Sequence, residues 1–144
     1  MGTAVSLLVI LLVLLFFVTG CRQYDDKLDI AYFFKTDPEK AVLDFLYALN
    51  SHDADYIYDS LLLDSDRRNI SREKFIEEMD IILAELTSIK VEKIVYLGYE
   101  EDMGKVVVEF SIIYLNDESA SYKKYVYLKE ENGTWKIVLD KTFI

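Results

Sequence analysis

Apolar residues fall into three regimes along this chain. Leu7 to Val18 form an unbroken run of Leu, Val, Ile and Phe. From Val42 to Leu86 they recur three and four positions apart, and after Thr87 they alternate with polar residues. These periods predict, in order, a membrane-directed leader, a set of amphipathic helices and an antiparallel sheet.

Asp37 as N-cap, Pro38 behind it and Glu39 in the first turn predict the start of the first helix. Val42, Phe45, Leu46 and Leu49 then share one face, and Asn50 to Asp53 break the pattern. A second helix is expected over Ala54 to Leu62, where Ile57 with Leu61 and Tyr58 with Leu62 lie four apart. Asp64 to Asn69 reads as a polar loop. Ser71 caps a third helix that aligns Phe75, Met79, Ile82, Leu83 and Leu86. Strands are predicted over 89–97, 105–115, 121–130 and 134–141. Val106, Val108, Phe110, Ile112 and Tyr114 share a face of the second, and Trp135, Ile137 and Leu139 a face of the last. Asn116 to Ser119 form one turn, and Asn132-Gly133 forms a tight hairpin because both residues tolerate positive φ. Three helices followed by a meander imply an α+β domain over residues 37–144, its helices covering one sheet face.

The leader is too short to span a bilayer, which takes about 20 apolar residues, but fits a signal-peptide core of about 7–15. Behind it, Val18-Thr19-Gly20-Cys21 resembles the bacterial lipobox. That resemblance implies that the Cys21 thiol accepts diacylglycerol and that a peptidase, admitted by the small residues, cuts before it. Residues 1–20 would then be a signal peptide and 21–36 a lipidated tether, with the domain anchored to the cell membrane and facing outside the cytoplasm. Several acyl chains, at roughly 0.8 kcal/mol per buried methylene, hold firmly without a basic patch. The segment ahead of the run lacks Lys and Arg, so an uncleaved single-span anchor is the alternative.

The 144 residues suit one domain. Residues 1–20 carry no charge, so the whole formal charge of −10 lies from Cys21 onward. Such a surface repels phosphate backbones, and no nucleic-acid partner is expected. Cys21 is the only cysteine, which excludes an internal disulfide and leaves stability to packing.

Pro38 to Leu49, Asp53-Ala54-Asp55-Tyr56, and the Tyr127 to Ile137 strand, turn and Trp-Lys-Ile strand together resemble the nuclear-transport-factor-two-like (cystatin-like) superfamily, especially its small secreted lipoproteins. The resemblance covers about residues 38–141. It implies a curved four-stranded sheet wrapped around a long helix, a cone whose open end takes a small ligand. It is nearly silent on activity, because the fold hosts isomerases, dehydratases, hydrolases and non-catalytic binders.

Chemistry-bearing residues add little. His52, the one histidine, falls in a polar loop, which argues against imidazole catalysis and multi-histidine metal binding. No carboxylate occupies an inward position of the apolar strand faces, and Asp44 lies opposite the first helix's apolar stripe. Asp64 to Phe75 fails as a calcium loop, lacking glycine at its sixth position and glutamate at its twelfth. Tyr122, Tyr125 and Tyr127 alternate with lysines in a strand read as showing an outward Tyr/Lys face. Tyr47, Phe110, Tyr114 and Trp135 are the candidate pocket walls. No catalytic residue, cofactor or metal is expected, and the sequence does not address oligomeric state. The resulting expectation is a membrane-anchored lipoprotein that binds a small molecule or an envelope protein. A small enzyme with a carboxylate inside the cone is the alternative.

Overall fold

The computed structural model describes residues 30–142, so the expected signal peptide with Val18, Thr19 and Gly20, and Cys21, lie outside the described residues. The chain divides into two units, residues 1–35 and 36–144. In the first, one helical turn, α1 (Ile30–Phe33), sets the Tyr32 and Phe33 rings edge to face at 6.0 Å.

The second unit opens with α2 (Asp37–Asn50). Thr36, not Asp37, is its N-cap. A capping box needs a hydroxyl three residues ahead of a glutamate, and only Thr36 stands so. Its Oγ1 accepts from the Glu39 amide at 3.4 Å, and the Glu39 carboxylate accepts from the Thr36 amide at 3.2 Å. Val42, Phe45 and Leu46 are buried along one face, as the spacing predicts.

The expected second helix is interrupted. After α3 (Ala54–Tyr56) the chain widens into a π-helical segment, Ile57–Leu61. Two groups pull it out of α geometry. The Lys136 ammonium takes the Ser60 carbonyl at 2.6 Å, and Leu62 leaves the helix to bridge Ile137. Withdrawing a carbonyl from the ladder is a recognised cause of such distortion. The widening still buries Ile57, Tyr58 and Leu61 together.

Asp64 to Asn69, expected as a loop, is a helix, α4 (Asp64–Asn69). It buries no side chain, so hydrophobic period could not reveal it. Its support is electrostatic. Asp64 and Asp66 sit in the first turn and Arg67 and Arg68 in the last, as the helix dipole favours. The Tyr58 hydroxyl donates to the Arg67 and Ile70 carbonyls, both at 2.8 Å. Helix α5 (Arg72–Leu83) begins at Ser71 as predicted and buries Phe75 and Leu83, but stops before Leu86. Leu86 starts the sheet instead.

Four strands, β1 (Leu86–Glu100), β2 (Met103–Tyr114), β3 (Ser119–Glu131) and β4 (Thr134–Ile137), form an antiparallel meander in chain order. Register shifts in β1 at Leu86/Ser88, Val91/Lys93 and Tyr96/Tyr99 curve the sheet towards α2. Asn132 and Gly133 turn with φ of 53° and 75°, as expected for a two-residue hairpin.

The last strand is shorter than predicted. It ends at Ile137, and Leu139 begins α6 (Leu139–Thr142) rather than continuing the Trp135–Ile137 face. The Asp66 carboxylate accepts from the Leu139 amide at 3.1 Å, and Thr142 Oγ1 accepts from the Tyr127 amide at 3.2 Å. Side chains from two helices thus serve backbone groups that a longer strand would have engaged.

Both ends of α2 are fastened to β1. Glu39 Oε1 accepts from the Tyr96 amide and Asn50 Oδ1 from the Ile89 amide, each at 2.8 Å. An unsatisfied buried amide costs about 1–3 kcal/mol. Replacing Glu39 with Ala should therefore lower unfolding free energy by about 1–3 kcal/mol in urea titrations, while Glu39→Gln, which keeps Oε1, should cost less than half of that.

Candidate functional site

The helix-facing side of the sheet is set by the β2–β3 register. Val106 pairs with Val126, Val108 with Lys124, Phe110 with Tyr122 and Ile112 with Ala120. Near the hairpin joining β3 to β4 this face is closed, with Val106, Leu128 and Ile137 fully buried beneath α2. Towards the other end, where α2 and α5 finish, it opens into a cavity of about 170 Å³. Phe45, Leu46 and Leu49 of α2, Ile82 and Leu83 of α5, and Ile89 of β1 wall one part of it; Val108, Phe110, Ile112 and Val126 form the floor. Lys124 and Thr142 are the polar residues lining it.

The one buried carboxylate in the described domain is Glu39. It is engaged by the Thr36 and Tyr96 amides and lines none of the cavities described here. Among the described residues, no carboxylate or imidazole lines the apolar cavity. His52 is exposed at the end of α2 with φ of 55°, its Nε2 3.2 Å from the Leu86 carbonyl oxygen.

The four sequence-derived wall residues do not converge. Phe110 lines the apolar cavity and stacks on Tyr122 at 5.7 Å. Tyr114 borders a separate open depression of about 530 Å³ with Glu85, Leu115, Asn116 and Glu118. Its hydroxyl lies 3.0 Å from that of Tyr122, and this hydrogen bond raises the Tyr114 pKa above the usual phenol range. Trp135 lines a polar cleft of about 430 Å³ at the other end of α2, with Asp37, Lys40, Asp44, Tyr56 and Lys136. Tyr47 lines none of the three.

Trp135 lies over Gly104, with Tyr96 and Tyr99 centred 6.4 and 5.9 Å away. Burial raises the Tyr96 phenol pKa, and burial followed by the charge of Asp44 does the same at Tyr56.

The β3 tyrosines and lysines divide between two faces, which corrects the single outward face expected. Tyr122 and Lys124 share the helix-facing side with Val126 and Leu128. On the reverse side Lys105 stands 4.8 Å from the Tyr125 ring centre and 5.5 Å from that of Tyr127, and pairs with Glu100 at 2.6 Å. The bond to Lys105 holds the Glu100 carboxyl below its usual range and, reciprocally, raises the Lys105 ammonium. Tyr127 itself packs on Leu63, Met103 and Val138, a small cluster beneath α6. Both polar lining residues, Lys124 and Thr142, were missed in the sequence; for Lys124 its spacing of two from Val126 was the available signal.

A helix held within a curved meander, with a cavity at the open end, is the cone of the NTF2-like fold, NTF2 abbreviating nuclear transport factor two. A family model described as "NTF2-like N-terminal transpeptidase domain" matches residues 37–144, and the chain belongs to that family. Among solved structures, it resembles one from Campylobacter jejuni described as an NTF2-like transpeptidase, at 15% identity and a TM-score of 0.47. That match covers 72% of this chain and 99% of the other. A structure from Novosphingobium aromaticivorans described as an aromatic ring hydroxylase matches at 11% identity and a TM-score of 0.50, covering 70% and 81%. At such identities the likeness concerns fold alone. No curated protein matches the chain.

A Cβ at position 104 would lie 2.8 Å from Trp135 Cζ3. Gly104→Ala should therefore displace the indole, shifting the emission of the sole tryptophan to the red and costing about 1–3 kcal/mol. Unchanged emission and stability would show that the indole does not rest on the Gly104 backbone.

Proposed function

We propose that this protein is an extracytoplasmic lipoprotein, held to the membrane by lipid on Cys21, whose domain binds a small molecule without transforming it. The observation carrying the binding reading is the cavity at the open end of the cone: concave, apolar, and, among the described residues, lined by no carboxylate or imidazole. Carboxylates and imidazole are the commonest general acids and bases, and such a group must lie within hydrogen-bond reach of the reacting atom. Glu39, the buried candidate, is instead committed to two backbone amides. The volume is of the order of the ~150 Å³ that holds benzene in an engineered apolar cavity.

A second reading takes a protein as the ligand. It is favoured by Ile82, which lines the cavity yet is 63% exposed, and by a family named for domains at the N-terminal end of transpeptidases. The anchoring part rests on the apolar run ending in Val18-Thr19-Gly20-Cys21.

Two measurements test the proposal. Intact mass spectrometry of the membrane fraction should find Cys21 as a diacylated N-terminal residue and Cys21→Ser unprocessed; an unlipidated wild-type chain refutes anchoring by lipid. Toluene should shift the methyl NMR resonances of Leu46, Leu83 and Val108, and Leu49→Trp, which fills the cavity, should abolish the shifts. Wild-type resonances indifferent to toluene would remove the small-molecule reading.

A further inference from the structure

Lys124 is the anomaly of the cavity. On β3 it occupies a helix-facing position between Tyr122 and Val126, opposite the buried Val108. Alternation makes that an apolar position. Lys124 is exposed and also lines the cavity, which puts it at the mouth, in contact with both water and the apolar interior. Lys105 pairs with Glu100, Lys129 with Asp102 and Lys136 with the Ser60 carbonyl. Lys124 makes no ion pair or hydrogen bond among the described residues. A lysine there covers apolar surface with its methylenes and holds its charge at the rim. Thr142, which also lines the cavity, uses Oγ1 as an acceptor for the Tyr127 amide and keeps its hydroxyl proton available as a donor.

An apolar chamber about the size of a benzene ring, with an ammonium and a hydroxyl donor among its lining, specifies its ligand chemically. The ligand has a compact apolar body and one anionic end. We propose that the cavity binds a small carboxylate, its apolar part among Phe45, Leu83, Val108 and Phe110 and its carboxylate on the Lys124 ammonium. This rests on the cavity-binding reading above and adds the class of ligand. A lone ammonium supplies a point charge rather than the bidentate fork that arginine offers, and suits a single monoanion. The chain's formal charge of −10 repels anions at long range, so selection must come from this local contact.

Three probes with the same ring separate charge from size: benzoate, benzyl alcohol and benzylamine. Each is titrated into the full chain in lipid nanodiscs, read by the methyl resonances of Leu46, Leu83 and Val108. Benzoate should bind about ten-fold or more tightly than benzyl alcohol, the scale of a charge-assisted hydrogen bond, and benzylamine most weakly. Lys124→Met should erase the preference for benzoate over benzyl alcohol, and Lys124→Glu should make benzylamine the preferred probe. Methyl resonances of Leu46, Leu83 and Val108 that match the wild type before any probe is added show that each variant's cavity is intact. Benzoate binding no tighter than benzyl alcohol, or a preference that survives Lys124→Met, overturns the carboxylate assignment alone. Failure of all three probes to shift the resonances overturns the cavity-binding reading with it.

Discussion

The domain depends on how α2 is seated against β1. An edge strand presents unpaired amides, and those of Tyr96 and Ile89 are taken by side chains at opposite ends of one helix, Glu39 and Asn50. The two side chains lie about 16 Å apart along the helix, against about 23 Å for the two amides along an unbroken strand. The bulge at Val91/Lys93 shortens the strand path, and side-chain reach closes the remainder. Helix position and strand curvature are therefore solved together. Either clamp alone would locate one end of α2; both together fix its direction across the sheet.

The cavity follows from that geometry. A helix running along the edge strand packs tightly at its N-terminal end, over Val106 and Leu128. At its other end the curved sheet diverges, and α5 and α6 close the gap only partly. Each edge strand has part of its edge covered. The segment after the π-helical stretch bridges β4 through Leu62 and Ile137, and the Ile89 and Tyr96 amides of β1 are taken by α2. On the reverse face Lys105 and Lys129 are paired with Glu100 and Asp102, whereas Lys124, among apolar neighbours, has no carboxylate with it among the described residues.

Much of this was legible in the chain. The helix–helix–helix–meander order, the apolar face of α2, the Ser71 cap and the Asn132-Gly133 turn were all predictable from local chemistry. What was not legible depends on partners distant in sequence. Helix α4 lacks an apolar stripe, the π-helical segment is drawn out by Lys136 seventy-six residues away, and β4 gives way to α6 through Asp66. The candidate walls show the limit on the functional side. Tyr47, Phe110, Tyr114 and Trp135 were chosen as large aromatic side chains, but strand register and helix rotation distribute them over different surfaces. Lys124 was readable by parity alone, since Val126 and Leu128 lie two and four residues on.

The clamp can be measured directly by native-state hydrogen exchange at single amides. If α2 is locked to β1 through Glu39 and Asn50, the Tyr96 and Ile89 amides should exchange only through global unfolding, with the same free energy as the core amides of Val106 and Val108. Exchange of Tyr96 and Ile89 through local opening, at free energies well below those core amides, would contradict the account and show that α2 rests on the sheet without being fastened to it.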